Sequence, residues 1–183
     1  MHRLFIAIRL PETIRDLLID AMDDSADFRW QQDDQLHITL RFVGEVDRPV
    51  ATDLEHALTR VRGEAFSLRV SGVGRFEKRA GGALWAGVEP RDHLAALAAK
   101  IERACQSTGL EPERRSFHPH ITLARWRGRR TRELAAFLER TSGLTSDPFE
   151  VREFVLFESR LSRHGAHYEE AATYPLQLAG GFA

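Results

Sequence analysis

Apolar positions along this chain follow two rhythms, one alternating and one near 3.6 residues, and they take turns. Residues 3–10 (RLFIAIRL) form a near-continuous apolar run of buried-strand length. Pro11 ends it and suits the first turn of a helix, where no intrahelical N–H bond is needed. Ile14, Leu17, Leu18 and Met22 then recur at helical spacing. Residues 23–35 are polar and irregular apart from Phe28 and Trp30. A strand from His37 ends, on this reading, at Gly44, and Leu54, Leu58 and Val61 mark a second helix. Residues 66–73 (FSLRVSGV) alternate as a half-exposed strand, and residues 77–82 (EKRAGG) predict a turn.

The same plan then begins again. Residues 83–88 read as a strand, with Trp85 in its core pattern, and Pro90 leads into a helix over 92–108 with Leu94, Leu97, Ile101 and Cys105 on one stripe. A strand over 116–125 follows, then a helix over 131–141 with Thr131 or a neighbour as N-cap, and strands over 149–159 and 168–176. Reduced to symbols, strand–helix–strand–helix–strand occurs twice with one strand to spare, which predicts an internal duplication. The expected fold is α+β: two similar lobes with mainly antiparallel sheets around a central cleft, related by a pseudo-twofold axis. No linker is rich enough in Pro, Gly or Ser to part independent domains, so residues 1–183 are expected to form a single bilobal domain with approximate halves 1–80 and 81–183.

One tetrapeptide occurs at matching places in both halves. His37-Ile38-Thr39-Leu40 and His120-Ile121-Thr122-Leu123 both read HITL. Strand side chains alternate, so each copy anchors Ile and Leu in a core and presents His and Thr on the other face. A lone His-x-Thr in a strand is usually a satisfied polar residue. The identical pair in a duplicated plan is far more specific.

Composition narrows the setting. A 43% apolar and 29% charged chain with formal charge −1 is an ordinary globular protein with no global field for nucleic acid. Its basic residues are uneven, though: Arg114, Arg115, Arg125, Arg127, Arg129, Arg130 and Arg132 crowd around the second HITL, either as a rim that recruits an anionic substrate or as a solvated face. The single cysteine, Cys105, allows no internal disulfide and no thiolate metal cluster. No stretch reaches transmembrane length, and the N-terminal apolar run is too short for a signal peptide, so a cytoplasmic location is expected, without membrane contact.

Imidazoles titrate near pH 6.5, so one of a facing pair can act as general base while the other acts as general acid. Threonine hydroxyls on the same face can donate to non-bridging phosphate oxygens. Those are the parts that phosphodiester cleavage needs, with no cofactor. The motifs' symmetry leaves open which histidine is the acid. Two rival readings use the same residues. In one, His118, His120 and His37 hold a metal, although neither motif carries a carboxylate. In the other, the cleft binds a nucleotide or RNA without turnover. His118 otherwise shapes or orients the site, His164 and His167 read as solvent-facing loop residues, and His2, His56 and His93 join no constellation. Trp30 and Trp126 remain open as base-stacking candidates.

These stretches resemble the 2H phosphoesterase superfamily, and within it the RNA 2′,3′-cyclic phosphodiesterases, the LigT-like or ThpR proteins. RLFIAIRLP is similar to that family's opening strand, LHITLRFVGEV and FHPHITLAR to its two motifs, and LFESRLSRHGAHYEEAATYPL to its closing hairpin. The resemblance implies a bilobal α+β fold and metal-independent hydrolysis of RNA 2′,3′-cyclic phosphate ends, or of cyclic nucleotides, to 2′-phosphomonoesters. It implies that His37 donates a proton to the departing 3′-oxygen, that His120 accepts one from water, and that Thr39, Thr122 and Arg125 hold the phosphate. It also implies reversible 2′–5′ RNA ligation in some members. Separately, a monomer with no obligatory protein partner is expected. Trp30 and the Arg-rich stretch after Arg125 depart from the family pattern and bear on substrate preference.

Overall fold

The structure is a computed structural model and describes residues 1–129, 131–163 and 165–178. Arg130 and His164 lie outside the described residues, as does the side chain of Thr131 and with it the expected N-cap. In chain order the elements are β1 (His2–Arg9), α1 (Glu12–Ala21), β2 (Arg29–Trp30), a single 3-10 turn (Asp33–Gln35), β3 (His37–Val46), α2 (Arg48–Leu58), β4 (Phe66–Lys78), β5 (Gly81–Glu89), α3 (Asp92–Ser107), β6 (His120–Arg127), α4 (Thr131–Arg140), β7 (Phe149–Val151), β8 (Glu153–Ser162) and β9 (Gly165–Pro175). The fold is α+β, as expected, with nine strands in the order β7-β4-β5-β6-β3-β1-β8-β9 and β2 beside β6. Every strand pair is antiparallel.

Several expectations need correction. The turn read over 77–82 is confined to residues 79–80, the second helix ends at Leu58, short of Val61, and His167, read as a loop residue, lies in β9. Residues 23–35, read as irregular, contain β2 and the 3-10 turn. Gly44 does not end its strand: it sits inside β3 at φ +88° beside a register shift, a backbone state that glycine adopts without steric cost. The expected strand over 116–125 starts only at His120. The run over 149–159 is two strands divided at Arg152, because β7 pairs with β4 at one sheet edge while β8 pairs with β1 far away. No local pattern announces a change of partner.

Central strand β1 explains its continuous apolar run. Leu4, Ile6 and Ile8 enter the main core under the helices, while Phe5 and Ala7 enter a smaller cluster with Val155 and Phe157 on the opposite face. A strand covered on both faces has no polar side to display. Burial of Ile14 and Leu18 from α1, Leu54 and Leu58 from α2, and Leu94, Leu97, Ile101 and Cys105 from α3 fits the helical stripes read from the sequence. Strands β3 and β6 meet at one paired position, Ile38 opposite Ile121, the middle residues of the two HITL motifs. The pseudo-twofold axis therefore passes between the motifs.

Candidate active site

Antiparallel pairing about Ile38 and Ile121 sets His37 next to Thr122 and Thr39 next to His120. The fourth residue of each motif then does something that alternation does not foresee. In β3, Ala7 faces Thr39 and Ile6 faces Arg41, which leaves Leu40 as an extra residue. In β6, Trp85 faces Thr122 and Leu84 faces Ala124, which leaves Leu123 extra. Both leucines are buried bulges, and a bulge re-aims the side chains after it. Arg125, which alternation from Thr122 would turn into the core, is thereby paired with Ala83 on the face that carries His120. Trp126 is turned the other way, 5% exposed, into an aromatic cluster with Phe28, Trp30 and Phe137. Phe42 occupies the same position after the first bulge, facing Phe5.

Each imidazole is held by the same device. His37 Nδ1 is 2.8 Å from the Gln35 carbonyl, and His120 Nδ1 is 2.6 Å from the His118 carbonyl. A carbonyl only accepts, so Nδ1 carries the hydrogen in both rings, and Nε2 of the neutral ring is a bare acceptor facing the cleft. His37 Nε2 accepts from the Thr39 hydroxyl at 3.0 Å. Burial lowers the His37 pKa to about 4, against the backbone bond to Gln35, with smaller contributions in the same direction from the charges of His120 and Arg125. Burial also lowers the pKa of His120, helped by Arg125 and His118 and opposed by the backbone bond to the His118 carbonyl. His37 thus senses His120, and both rings sense one common arginine.

Aromatic walls produce that burial. Phe5 lies 4.9 Å from the His37 ring, and Tyr168 meets the same ring edge-on at 5.5 Å. On the other side, Phe76 meets His120 edge-on at 4.9 Å, with Trp85 at 6.3 Å. Trp85 was expected in the core. Instead it is half-buried on the cleft face, because Ala83, Trp85 and Gly87 of β5 face the cleft side while Leu84, Ala86 and Val88 face the helices. The roles of the tryptophans are thus reversed: Trp30 and Trp126 pack, and Trp85 lines the site. Tyr168, Phe76 and Gln35 were not singled out from the sequence. The only available signal was the alternation of the strands that carry the two aromatics.

His118 contributes its carbonyl, and its own ring is exposed. Among the described residues, no three His, Cys, Asp or Glu side chains gather as a ligand set, so His37, His118 and His120 do not form the three-histidine grouping considered above. His167 is exposed near Asp34, His2 pairs with Glu158, and His93 stacks on Phe66. Cys105 is fully buried, and its thiol is pushed up to about 11 by desolvation. Among the described residues, no helix is long and apolar enough to cross a membrane.

The two HITL strands thus lie side by side, each with an Nδ1-anchored imidazole whose Nε2 faces the cleft that Arg125 also borders. Residues 10–163 match the 2′-5′ RNA ligase superfamily, and the chain belongs to that family. Its relatives include a protein of Aeropyrum pernix named RNA 2′,3′-cyclic phosphodiesterase, 36% identical over 75% of this chain and 80% of its own length. A Thermotoga maritima protein of the same name is 30% identical over 98% of this chain and 97% of its own. Crystal structures of Escherichia coli LigT, in apo form and complexed with 3′-AMP, superpose with TM-scores of 0.80 and 0.79; both are 27% identical and cover 96% of this chain and 98% of theirs.

Proposed function

We propose that this protein hydrolyses RNA 2′,3′-cyclic phosphate ends to 2′-phosphomonoesters without a metal ion. The observation that carries the reading is the matched pair of Nδ1-anchored imidazoles, His37 and His120, flanking one cleft in the electrostatic reach of Arg125. The neutral His120 Nε2 takes a proton from water as its oxygen bonds to phosphorus. His37, protonated at Nε2, gives that proton to the 3′-oxygen as the P–O3′ bond breaks. Thr39 and Thr122 donate hydrogen bonds to the non-bridging oxygens, and Arg125 adds a fixed positive charge. The assignment of acid and base follows the family resemblance, since the anchoring of the two rings is alike. The same displacement, with the 5′-hydroxyl of a second RNA end in place of water, would join RNA ends through a 2′–5′ bond as the P–O3′ bond breaks, and its reverse would cleave that bond.

The test is turnover of an RNA oligomer ending in a 2′,3′-cyclic phosphate, in EDTA, with the position of the product phosphate determined. A 2′-phosphate is expected, and His37→Ala and His120→Ala should each lower kcat by about a hundredfold or more. Turnover that appears only when metal is restored, or that persists at wild-type level in either variant, would refute the proposal.

A further inference from the structure

Strand arginines on this sheet are generally matched to carboxylates: Arg9 to Glu170 and Glu153, Arg69 to Glu89, Arg75 to Glu77, and Arg160 to Glu169. Among the described residues Arg3 and Arg127 lack such a partner, Arg3 lying over the Phe42 ring, and one further place stands out. Arg29 of β2 stands directly opposite Arg125 of β6 in the antiparallel register, so their side chains share the cleft face. Directly opposed like charges destabilise a sheet. Both arginines are exposed, and among the described residues neither makes a salt bridge or a side-chain hydrogen bond. Both contribute to the electrostatics of the Tyr168 hydroxyl, together with Arg3 in the same sense and Asp34 in the opposite one. The Arg29 guanidinium also reaches the β8–β9 hairpin, where its Nη2 would lie 3.3 Å from a Cβ at Gly165. It therefore spans from the β6 side of the cleft to the hairpin that carries Tyr168, at the end marked by Gln35. Arg127 continues the positive strip two residues along the same face of β6.

We propose that Arg29, together with Arg125, holds a second phosphate: the phosphodiester on the 5′ side of the terminal nucleotide. The inference rests on the cyclic phosphodiesterase reading and deepens it, since it makes the preferred substrate an RNA end and not a mononucleoside cyclic phosphate. Arg125 lies in reach of both histidines and so of the reacting phosphorus, while Arg29 stands one strand farther out. Two guanidinium forks on one face present paired donors that match phosphate oxygens, and a bound phosphate anion removes the repulsion that opposes them in the free protein. In the same line, β2 is the segment that the resemblance marked as a departure, through the neighbouring Trp30. Trp30 itself packs on Phe28 and Phe137, so the substrate-facing residue of that pair is Arg29.

The experiment compares a dinucleotide ending in a 2′,3′-cyclic phosphate with the matching mononucleoside cyclic phosphate. It is paired with calorimetric binding of the corresponding dinucleotide and mononucleoside 2′-phosphates. Wild type should favour the dinucleotide by roughly tenfold or more in both kcat/KM and affinity, the scale of one charge-assisted contact. Its affinity should also fall more steeply with salt than the mononucleoside's, because one more charge–charge contact is screened. Arg29→Gln should collapse the ratio toward one and remove the extra slope, and Arg29→Lys should restore part of both. A wild-type ratio near one, or an Arg29→Gln variant that weakens both ligands equally, overturns the proposal. Wild type that hydrolyses neither substrate overturns the catalytic reading alone, because the calorimetric ratio still reports on the second phosphate.

Discussion

At the scale of single residues, the free site is set for base chemistry on both sides. Burial behind Phe5 and Tyr168 holds His37 neutral down to about pH 4, and His120 is lowered as well. An acid is therefore missing until substrate arrives. The phosphate monoanion supplies the opposite charge that makes protonation favourable in the complex. Two pH profiles should consequently differ. That of kcat/KM, which reports the free protein, should form a bell lying between about 4 and the ordinary imidazole value of 6.5, whereas that of kcat should be displaced to higher pH. Superimposable profiles would mean that the bound phosphate does not charge an imidazole. The same shift has a consequence for stability. From pH 6.5 down to about 4 the unfolded chain takes up a proton at residue 37 that the folded chain refuses. Stability is thus full above that window and falls by on the order of 3 kcal/mol through it. His37→Gln should flatten the urea-midpoint curve over that interval while leaving the decline at still lower pH, where carboxylates such as Glu113, held near 2 by Arg115, are protonated. An unchanged slope in the variant would assign the loss to other groups.

At the scale of elements, the two bulges decide which residues face the cleft. Strict alternation was enough to read His37 with Thr39 and His120 with Thr122 on one face, because each pair precedes its bulge. It fails one residue later: alternation by itself would turn Arg125 inward, although the basic rim and the family resemblance put it at the site, and it leaves Trp126 open, whereas the bulge turns Arg125 to the cleft face and Trp126 into the core. A bulge is set by how two strands share hydrogen bonds, which no window on one strand displays. Trp85 was missed for a related reason. It alternates like a core residue, but the cleft face of its strand is itself half-covered. Gly74 is what gives that indole its place, since a Cβ there would run into the Trp85 ring. Gly74→Ala should therefore cost about 1–3 kcal/mol by overpacking and, by tilting the ring beside His120, lower kcat on a cyclic phosphate. Chemical denaturation and kinetics on one preparation check both. A variant as stable and as active as wild type would show that the indole has room to move.

At the scale of the whole molecule, the duplication visible in the sequence is joined by an exchange that is not. Central strand β1 lies between β3 and β8, and its counterpart β5 lies between β6 and β4. Each central strand thus has one neighbour from its own half of the chain and one from the other half. The pairings of β1 with β8 and of β4 with β7 join residues far apart in sequence, and such contacts leave no local signature. They bear directly on the site, since Phe5 is packed by Phe157 across the β1–β8 pair and Phe76 reaches His120 from β4. Each histidine consequently has one wall built by the opposite half. A fragment of residues 1–80 should fail to fold alone, because β1 loses β8, which exposes Phe5 and Ala7, and β4 loses both its neighbours. Residues 81–183 should fail likewise, whereas the two fragments mixed should recover a dispersed amide spectrum together with any catalytic activity. The intact chain should unfold in a single transition by tryptophan fluorescence and far-ultraviolet circular dichroism alike, since no lobe can be lost without opening the other. A folded 1–80 fragment, or two separated transitions, would show that each half carries a self-sufficient core and that the exchange of strands is incidental to the site.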